Sequence, residues 1–298
     1  MDIVVFGAGS LGSLVGGLLA REHGVTLVAR NPHASEVHEF GLHVGGEFDF
    51  RVHPNATDNG HELRADCAVV TVKASQTDTA ARELATGEFD AVLSLQNGLG
   101  NESLLAEHLD CPVLAGTASY GAVLTAPGEV ECTGIGEVVL GAREGGVSDT
   151  ARRVGNAFGT AGIETKIAND MPRRLWEKLA VNAAINPVTA LSRVENGAVL
   201  SGDVSEIAAD AARETARVAR ADGVELTDED AVSAVETVAE ATVSNTSSMR
   251  QDVEAGRRTE IDAINGSVIA RGHEHGIETP VNRILFDLMK TWERGNVR

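Results

Sequence analysis

The sequence predicts an α/β fold, in which an N-terminal Rossmann-type parallel-sheet domain is followed by a mostly α-helical C-terminal domain. Short apolar runs alternate with helical patterns in the first half, a glycine-rich turn follows the first run, and Ala-, Glu- and Arg-rich helical spacing takes over after about residue 170. At roughly 150 residues per domain, the 298 residues also favour two domains. We place these domains at 1–168 and 169–298.

The predicted strands are continuous apolar runs, which are typical of parallel strands buried on both faces. They lie at 3–6, 25–29, 67–72, 91–95, 112–116 and 137–140, and a helix is predicted at 13–21. The segment 169–172 reads as a helix-entry turn, because Pro172 fits the first position of a helix. Helical spacing is then clearest at 208–222 and 228–243.

Composition excludes several classes of function. A net charge of −19 repels nucleic acid, and the apolar runs are too short to cross a bilayer, so we expect neither as a partner. Cys67, Cys111 and Cys132 form no CxxC pair, which argues against a disulfide framework or a zinc cluster. The chain begins directly on a strand-like run, so we expect a cytoplasmic protein. As partners we expect a small-molecule substrate and either no second copy or one, that is, a monomer or a homodimer.

The charged residues also predict a surface adapted to high salt. Four of the 25 basic residues are lysine, acidic residues number 44, and aromatic residues make up 3%. Repulsion on such a surface is screened at high salt, where the Debye length falls to about 3 Å at 1 M. An ordinary acidic cytosolic protein is the alternative.

The segment Gly7-Ala8-Gly9-Ser10-Leu11-Gly12 fits the G-x-G-x-x-G pattern between a predicted strand and a predicted helix. In this context the first glycine permits a tight turn, the second lets the backbone approach a pyrophosphate, and the third lets the helix pack close to the strand. The positive end of the helix then holds the anion. We therefore predict a dinucleotide site.

Residues after the later strands indicate which dinucleotide binds. The second strand ends at Ala29-Arg30-Asn31, where NAD-specific sites usually carry a carboxylate. A guanidinium there can bind a 2′-phosphate, so Arg30 favours NADP(H), with Lys73 as a second cation; a solvated Arg30 is the alternative. Gln76 and Asn97 also follow strand ends, where open sheets bind ligands, although Asn97-Gly98 equally suits a turn.

Two polar clusters occur in the second half. Lys178, Asn182 and Asn186 are spaced four residues apart and share one helix face, which suits binding of a carboxylate and a carbonyl together. A solvated helix face is the alternative. Hydroxyls and amides concentrate again in Asn245-Thr246-Ser247-Ser248, which would also cap a helix, and Glu260 could be a dipole partner of the helix after it.

These motifs together resemble the ketopantoate reductase (2-dehydropantoate 2-reductase) family. Besides the glycine-rich segment and Asn97-Gly98, the resemblance rests on Trp176-x-Lys178-x3-Asn182-x2-Ile185-Asn186-Pro187, Asn245-x-Ser247-Ser248-Met249-x2-Asp252 and Glu260-Ile261-Asp262-x2-Asn265-Gly266. The motifs occur in the family's order over nearly the whole chain. The resemblance implies NADPH-dependent reduction of 2-dehydropantoate to (R)-pantoate, on the route to pantothenate and coenzyme A.

The resemblance also implies roles for individual residues. Lys178 matches the catalytic lysine, which acts as general acid, and Glu260 matches a glutamate between substrate and cofactor ribose; both are predicted to be catalytic. The predicted substrate-binding residues are Asn97, Asn182, Asn186, Asn196, Asn245, Ser247 and Ser248. The predicted cofactor-binding residues are Gly7, Ala8, Gly9, Ser10, Leu11, Gly12, Arg30, Lys73, Gln76, Asn97, Ala122 and Glu260. The loop 120–128, which contains Ala122, departs most from the family's character.

Two other functions stay open at this point. One is a related reductase of another 2-oxo acid or a β-hydroxy acid. The other is a non-catalytic NADP(H)-sensing protein, which need not keep Lys178, Ser248 and Glu260 together. We expect no metal centre, because the pair His273-x-His275 lacks the HExxH arrangement.

Overall fold

The computed structural model describes residues 1–297, and the chain divides into two compact units. The first unit comprises Met1–Gln96 and Gly100–Met171, and the second comprises Asn97–Leu99 and the chain from Pro172 onward. The first unit is therefore discontinuous in sequence, because the short segment containing Asn97 belongs with the second.

The strands of the first unit form two sheets. Their bounds are β1 Asp2–Phe6, β2 Gly24–Val28, β3 Leu42–Gly46, β4 Phe50–Val52, β5 Asn55–Thr57, β6 Arg64–Val70, β7 Glu88–Ser94, β8 Val113–Ala118, β9 Gly121–Ala126, β10 Glu129–Gly134, β11 Val138–Ala142 and β12 Thr165–Ala168. Within residues 1–297, one sheet has the order β12-β11-β8-β7-β6-β1-β2-β5 and the smaller one has the order β4-β3-β10-β9.

Helices of the first unit cover both faces of the larger sheet. They are α1 Ser10–Leu19, α2 His33–Phe40, α3 Thr77–Leu84, α4 Asn101–His108 and α5 Asp149–Thr160. Val5 of β1 packs in one core cluster with Leu14 of α1, whereas its neighbour Val4 packs in a separate cluster with Leu84 of α3. Because both faces are buried there, the carboxyl-terminal stretches of β1, β6 and β7 are almost continuously apolar after polar residues at their starts. The predicted parallel pairing is confirmed along the sheet order β2-β1-β6-β7-β8.

Three features differ from the sequence prediction. β11 pairs antiparallel with β8, because the β9–β10 hairpin connects them and a parallel neighbour would need a crossover connection. That hairpin builds the unpredicted smaller sheet by pairing with β3. The first helix begins at Ser10 rather than at residue 13, because its first turn lies inside the glycine-rich segment.

The second unit is helical over its described residues. α6 runs over Met171–Ser192, so it begins inside the predicted entry segment 169–172, and it contains Pro187. The helices that follow are α7 Ser205–Ala221, α8 Asp228–Ala241, α9 Ser248–Glu254, α10 Asn265–Glu274 and α11 Pro280–Asn296. Across residues 1–297, we find no helix with the length and apolar character needed to cross a membrane.

Candidate active site

The glycine-rich segment turns tightly between β1 and α1. Gly7 has a φ of +100°, and a Cβ there would lie 2.5 Å from Cγ1 and 2.7 Å from N of Val72. A Cβ on Gly12 would lie 2.5 Å from the carbonyl oxygen of Gly7 and would also meet the hydroxyl of Thr71. A Cβ on Gly9 would have its nearest described neighbour at 4.0 Å. Packing therefore requires glycine at positions 7 and 12. Gly9 instead faces the open space that a pyrophosphate-binding loop needs.

Backbone groups hold this loop and leave donors for an anion. The N–H groups of Gly7 and Ala8 donate to the carbonyl oxygen of Val28 at 3.0 and 2.9 Å. The N-cap of α1 is Gly9, which has no side chain to accept from the N–H groups of the first turn. These N–H groups and the positive helix end therefore fit a phosphate.

The predicted cofactor residues of α1 and β9 lie in adjacent elements. The hydroxyl of Ser10 accepts a hydrogen bond from the N–H of Leu124 at 3.1 Å. Leu11 is half-buried against the core. Ala122 is also half-buried and pairs with Cys132 of β10. The 120–128 loop is therefore part of the smaller sheet and contacts the start of α1.

The two predicted cations flank the loop. Arg30 is exposed two residues after β2, and Lys73 is half-buried three residues after β6. β1 lies between these strands, so both residues stand at the carboxyl edge of the sheet, on strands about 10 Å apart. Gln76 is exposed at the end of the short helical turn Ala74–Gln76.

Gln96, to which the sequence assigned no role of its own, holds the segment that contains Lys73. Gln96 is buried after β7, and its Nε2 donates to the carbonyl oxygen of Val72 at 3.0 Å and to Oγ1 of Thr77 at 2.8 Å. These two partners bracket residues 73–76. The signal in the sequence was a polar side chain directly after an apolar strand.

Asn97 and Glu260 meet although 163 residues separate them. Nδ2 of Asn97 donates to Oε2 of Glu260 at 2.9 Å, and both side chains are half-buried. Gly98 makes the turn with a φ of +86°, and a Cβ there would lie 2.5 Å from the carbonyl oxygen of Ala263. Glu260 lies five residues before α10, so it is outside the first turn of that helix and is not its dipole partner.

The predicted polar row lies along α6. Lys178 and Asn182 are half-buried, and Asn186 is buried. Leu179 and Ile185, which the spacing turns away from this row, are buried in the helical core. The row is therefore partly enclosed rather than a solvated face.

The polar segment before α9 divides between capping and exposed groups. Oγ of Ser247 caps α9 by accepting from the N–H of Arg250 at 3.2 Å, and it lies 2.7 Å from Oγ1 of Thr189 on α6. Ser247 is buried, whereas Asn245 and Ser248 are exposed. The capping alternative thus applies to Ser247.

Asn196 carries a buried acceptor that its neighbours do not satisfy. Its Nδ2 donates to Oγ1 of Thr242 at 3.0 Å, and its N–H donates to the carbonyl oxygen of Asn245 at 3.0 Å. Among residues 1–297, its Oδ1 has no hydrogen-bond partner. An unsatisfied buried acceptor is costly, and a hydroxyl group of a ligand would satisfy it.

Sequence reasoning missed how α6 tolerates its internal proline. Pro187 has no N–H, so the carbonyl oxygen of Ala183 lacks its helical donor. Nδ2 of the buried Asn265 donates to that oxygen at 3.0 Å and to Oδ1 of Asn282 at 2.9 Å. A side chain from α10 therefore completes the hydrogen bonding of the helix that carries Lys178.

The same network reaches α7 and α11. Glu214 is buried and accepts from the N–H groups of Val281 and Asn282, each at 2.9 Å, so it caps α11. Nδ2 of Asn282 also donates to Oε2 of Glu214 at 2.8 Å. Four helices thus share one chain of buried polar groups.

A second carboxylate on α11 holds the residue before Glu260. Oε1 of Glu293 accepts from the N–H and the hydroxyl of Thr259 at 2.8 and 2.7 Å, and its Oε2 accepts from Lys290 at 2.9 Å. Burial by itself raises the pKa of Glu293, but the hydrogen bonds from Thr259 and Lys290 outweigh it, so the pKa is lowered. Lys290 also donates to Asp262 at 2.7 Å, so α11 binds the chain on both sides of Glu260.

Comparisons with known proteins agree over the whole chain. The family model "Ketopantoate reductase PanE/ApbA" matches residues 3–145, and its C-terminal counterpart matches residues 170–293. A curated 2-dehydropantoate 2-reductase from Halobacterium salinarum is 43% identical, with 99% of each chain covered. The solved structure of a PanE/ApbA family ketopantoate reductase from Ralstonia eutropha is 32% identical and has a TM-score of 0.90, with 99% of each chain covered. A D-mandelate dehydrogenase solved with NADH and anilino(oxo)acetate has a TM-score of 0.92 at 24% identity over 100% of both chains, which shows a shared fold.

Proposed function

Because the chain belongs to the ketopantoate reductase family, we propose that it reduces 2-dehydropantoate to (R)-pantoate with NADPH, a step toward pantothenate and coenzyme A. The row of Lys178, Asn182 and Asn186 on α6 carries the proposal, because it lies in the same unit as the hydrogen-bonded pair of Asn97 and Glu260. A cation and several amides suit a 2-oxo acid, whose ketone adjoins a carboxylate.

The first unit supplies the groups that fit the dinucleotide. The open space at Gly9 and the first turn of α1 suit the pyrophosphate. Arg30 and Lys73, at the carboxyl edge on either side of β1, suit the 2′-phosphate and favour NADPH over NADH. When bound, NADPH supplies a hydride from its nicotinamide.

Lys178 is the proposed general acid. As hydride reaches the ketone carbon, negative charge develops on the ketone oxygen, and the ammonium group stabilises that charge and donates its proton to form the alcohol. Glu260 binds the substrate hydroxyl and helps to place Lys178. The amide of Asn97 holds the carboxylate of Glu260 in position for this contact.

The remaining polar groups are assigned to substrate orientation. Asn182, Asn186 and Ser248 bind the carboxylate and determine which face of the ketone receives the hydride. The unpartnered Oδ1 of Asn196 suits a substrate hydroxyl. The exposed Asn245 and the capping Ser247 complete the proposed set. We assign the cofactor to 1–168, with Glu260 as its contact from outside that range, and the substrate to 169–298, with Asn97 as its contact from outside that range.

The proposal includes a reducing, salt-rich cytoplasm. Cys67, Cys111 and Cys132 are free thiols, which supports a compartment where thiols stay reduced. The net charge of −19 with few lysines supports a surface that requires screening.

The direct test follows NADPH absorbance with 2-dehydropantoate and with unbranched 2-oxo acids, at low salt and in about 2–3 M KCl, where screening is nearly complete. We expect turnover with 2-dehydropantoate to exceed that with the unbranched acids and to require high salt. Preference for an unbranched acid would transfer the proposal to another substrate. NADPH binding without turnover of any acid would favour a sensor, and equal turnover at both salt concentrations would remove the salt adaptation alone.

The role of Lys178 has its own test. Lys178→Ala should lower kcat by about 10³-fold, since a general acid contributes roughly 10²–10⁴-fold, while the NADPH Kd stays within about twofold. Lys166→Ala is the matched control, because Lys166 is an exposed lysine on β12. Turnover that survives in Lys178→Ala would exclude Lys178 as the acid.

A further inference from the structure

A chain of hydrogen bonds joins the turn between β9 and β10 to the glycine-rich loop. The N–H of Gly128 lies 3.0 Å from Nδ1 of His33, and Nε2 of His33 lies 3.0 Å from Oγ of Ser13. Oγ of Ser13 lies 3.1 Å from the carbonyl oxygen of Ala8. His33 and Ser13 are both buried, so this chain is closed to solvent.

The two ends of the chain determine the direction of every bond. A backbone N–H can only donate, so Nδ1 of His33 accepts from Gly128 and the ring proton lies on Nε2. Nε2 of His33 therefore donates to Oγ of Ser13. Because a carbonyl oxygen can only accept, the hydroxyl of Ser13 donates to the carbonyl oxygen of Ala8. Burial lowers the pKa of His33, which agrees with the neutral ring that this pattern requires.

This series of hydrogen bonds ends at Ala8, the residue between Gly7 and Gly9. The N–H of Ala8 donates to the carbonyl oxygen of Val28, and its own carbonyl oxygen accepts from Ser13, so both backbone groups of Ala8 are held. The β9 strand adds a second bond, from the N–H of Leu124 to Oγ of Ser10. The smaller sheet thus holds the loop at two points.

We propose that His33 and Ser13 are positioning residues for the pyrophosphate of the bound dinucleotide. They connect the β9–β10 turn to Ala8 and so maintain the open space beside Gly9. Neither side chain is required to touch the dinucleotide. The inference rests on the proposed NADPH binding, and it gives the 120–128 loop, which departs from the family's character, a part in that binding.

The test compares Ser13→Ala and His33→Asn with wild type, and His38→Asn is the matched control because His38 is an exposed histidine on the same helix. Ser13→Ala removes only the last link, and His33→Asn keeps an acceptor near Gly128 but is too short to reach Ser13. We expect the NADPH Kd of both to rise about tenfold, the effect of losing one buried hydrogen bond. At saturating NADPH, kcat should stay within about twofold while the KM for NADPH rises.

A second ligand distinguishes positioning of the loop from general damage. 2′-AMP carries the adenosine and the 2′-phosphate but no pyrophosphate, so its Kd should stay within about twofold in both variants. Equal weakening of 2′-AMP and NADPH would overturn the inference, as would an unchanged NADPH Kd in folded Ser13→Ala. Wild-type protein that binds no NADPH would instead overturn the proposed function. If His33→Asn fails to fold, Ser13→Ala, which removes one oxygen atom, decides the question.

Discussion

The two units build their candidate binding groups from different kinds of chemical group. In the first unit, backbone groups form the loop, and Gly7 and Gly12 are there because a Cβ would strike the neighbouring chain. In the second unit, the proposed catalytic groups are side chains, and buried polar partners such as Asn265 and Glu293 hold the backbone beneath them. The first unit depends on the absence of a side chain at single glycine positions. The second depends on hydrogen-bonded pairs of residues that are far apart in sequence.

The largest expected loss of NADPH affinity tests the dependence on free volume at the glycines. Gly12→Ala places a Cβ 2.5 Å from the carbonyl oxygen of Gly7, so we expect a loss of about 2 kcal/mol in stability from overpacking, together with NADPH binding weaker by about 100-fold. Gly9→Ala places its Cβ in open space, so the unfolding free energy should stay within about 0.5 kcal/mol while NADPH affinity again falls about 100-fold. Chemical denaturation and NADPH fluorescence measure the two quantities.

Gly159→Ala is the control for this pair, because Gly159 lies in α5 and a Cβ there meets no described atom within 4 Å. It should stabilise the helix by about 0.5–1 kcal/mol and leave NADPH binding unchanged. If Gly9→Ala lowers the free energy of unfolding as much as Gly12→Ala does, the distinction between a packing glycine and a ligand-facing glycine is wrong.

The difference in chemical groups also explains what the sequence could predict in the first unit. The glycine spacing and the apolar runs are local patterns, so the loop and the parallel strands were predictable. The smaller sheet was not predictable, because its parallel pair joins two strands that are far apart in the sequence. Val44 of β3 pairs with Val130 of β10. Short strands with glycines and charges carry little apolar periodicity.

In the second unit, the periodicity of α6 predicted the row that contains Lys178. The hydrogen bonds that complete this unit's polar groups were hidden because they join distant residues: Asn97 and Glu260 are 163 positions apart, and Asn265 and Ala183 are 82 apart. Pro187 was visible inside the helical pattern, but a single sequence does not show which side chain replaces the donor that it lacks.

A double-mutant cycle on α6 tests the dependence on distant pairs. Asn265→Ala leaves the carbonyl oxygen of Ala183 without a donor, so we expect a loss of about 2–3 kcal/mol. In a Pro187→Ala background, the new N–H of residue 187 can reach that oxygen, so Asn265→Ala should cost about 1 kcal/mol less. Urea denaturation of the four proteins at one salt concentration measures the coupling. Strictly additive losses would show that Asn265 does not compensate for the proline.

The smallest expected effect concerns the acid range and the carboxylate beside Glu260. In the folded protein the pKa of Glu293 lies below its ordinary value of 4.5, so its stabilising effect is fully present above that pH and is lost as the pH falls through the lowered pKa. Glu293→Gln keeps an acceptor for Thr259 but loses the charge that pairs with Lys290, so we expect a loss of about 1–2 kcal/mol at pH 7. The difference in unfolding free energy between wild type and variant should narrow as the pH falls below 4.5.

Urea denaturation along a pH series measures this difference. Glu278→Gln, at an exposed position in the segment before α11, is the control. A difference that stays constant into the acid range would mean that the charge of Glu293 is not what stabilises this pair, and the contrast between a unit held by paired polar groups and one held by packing would lose this support.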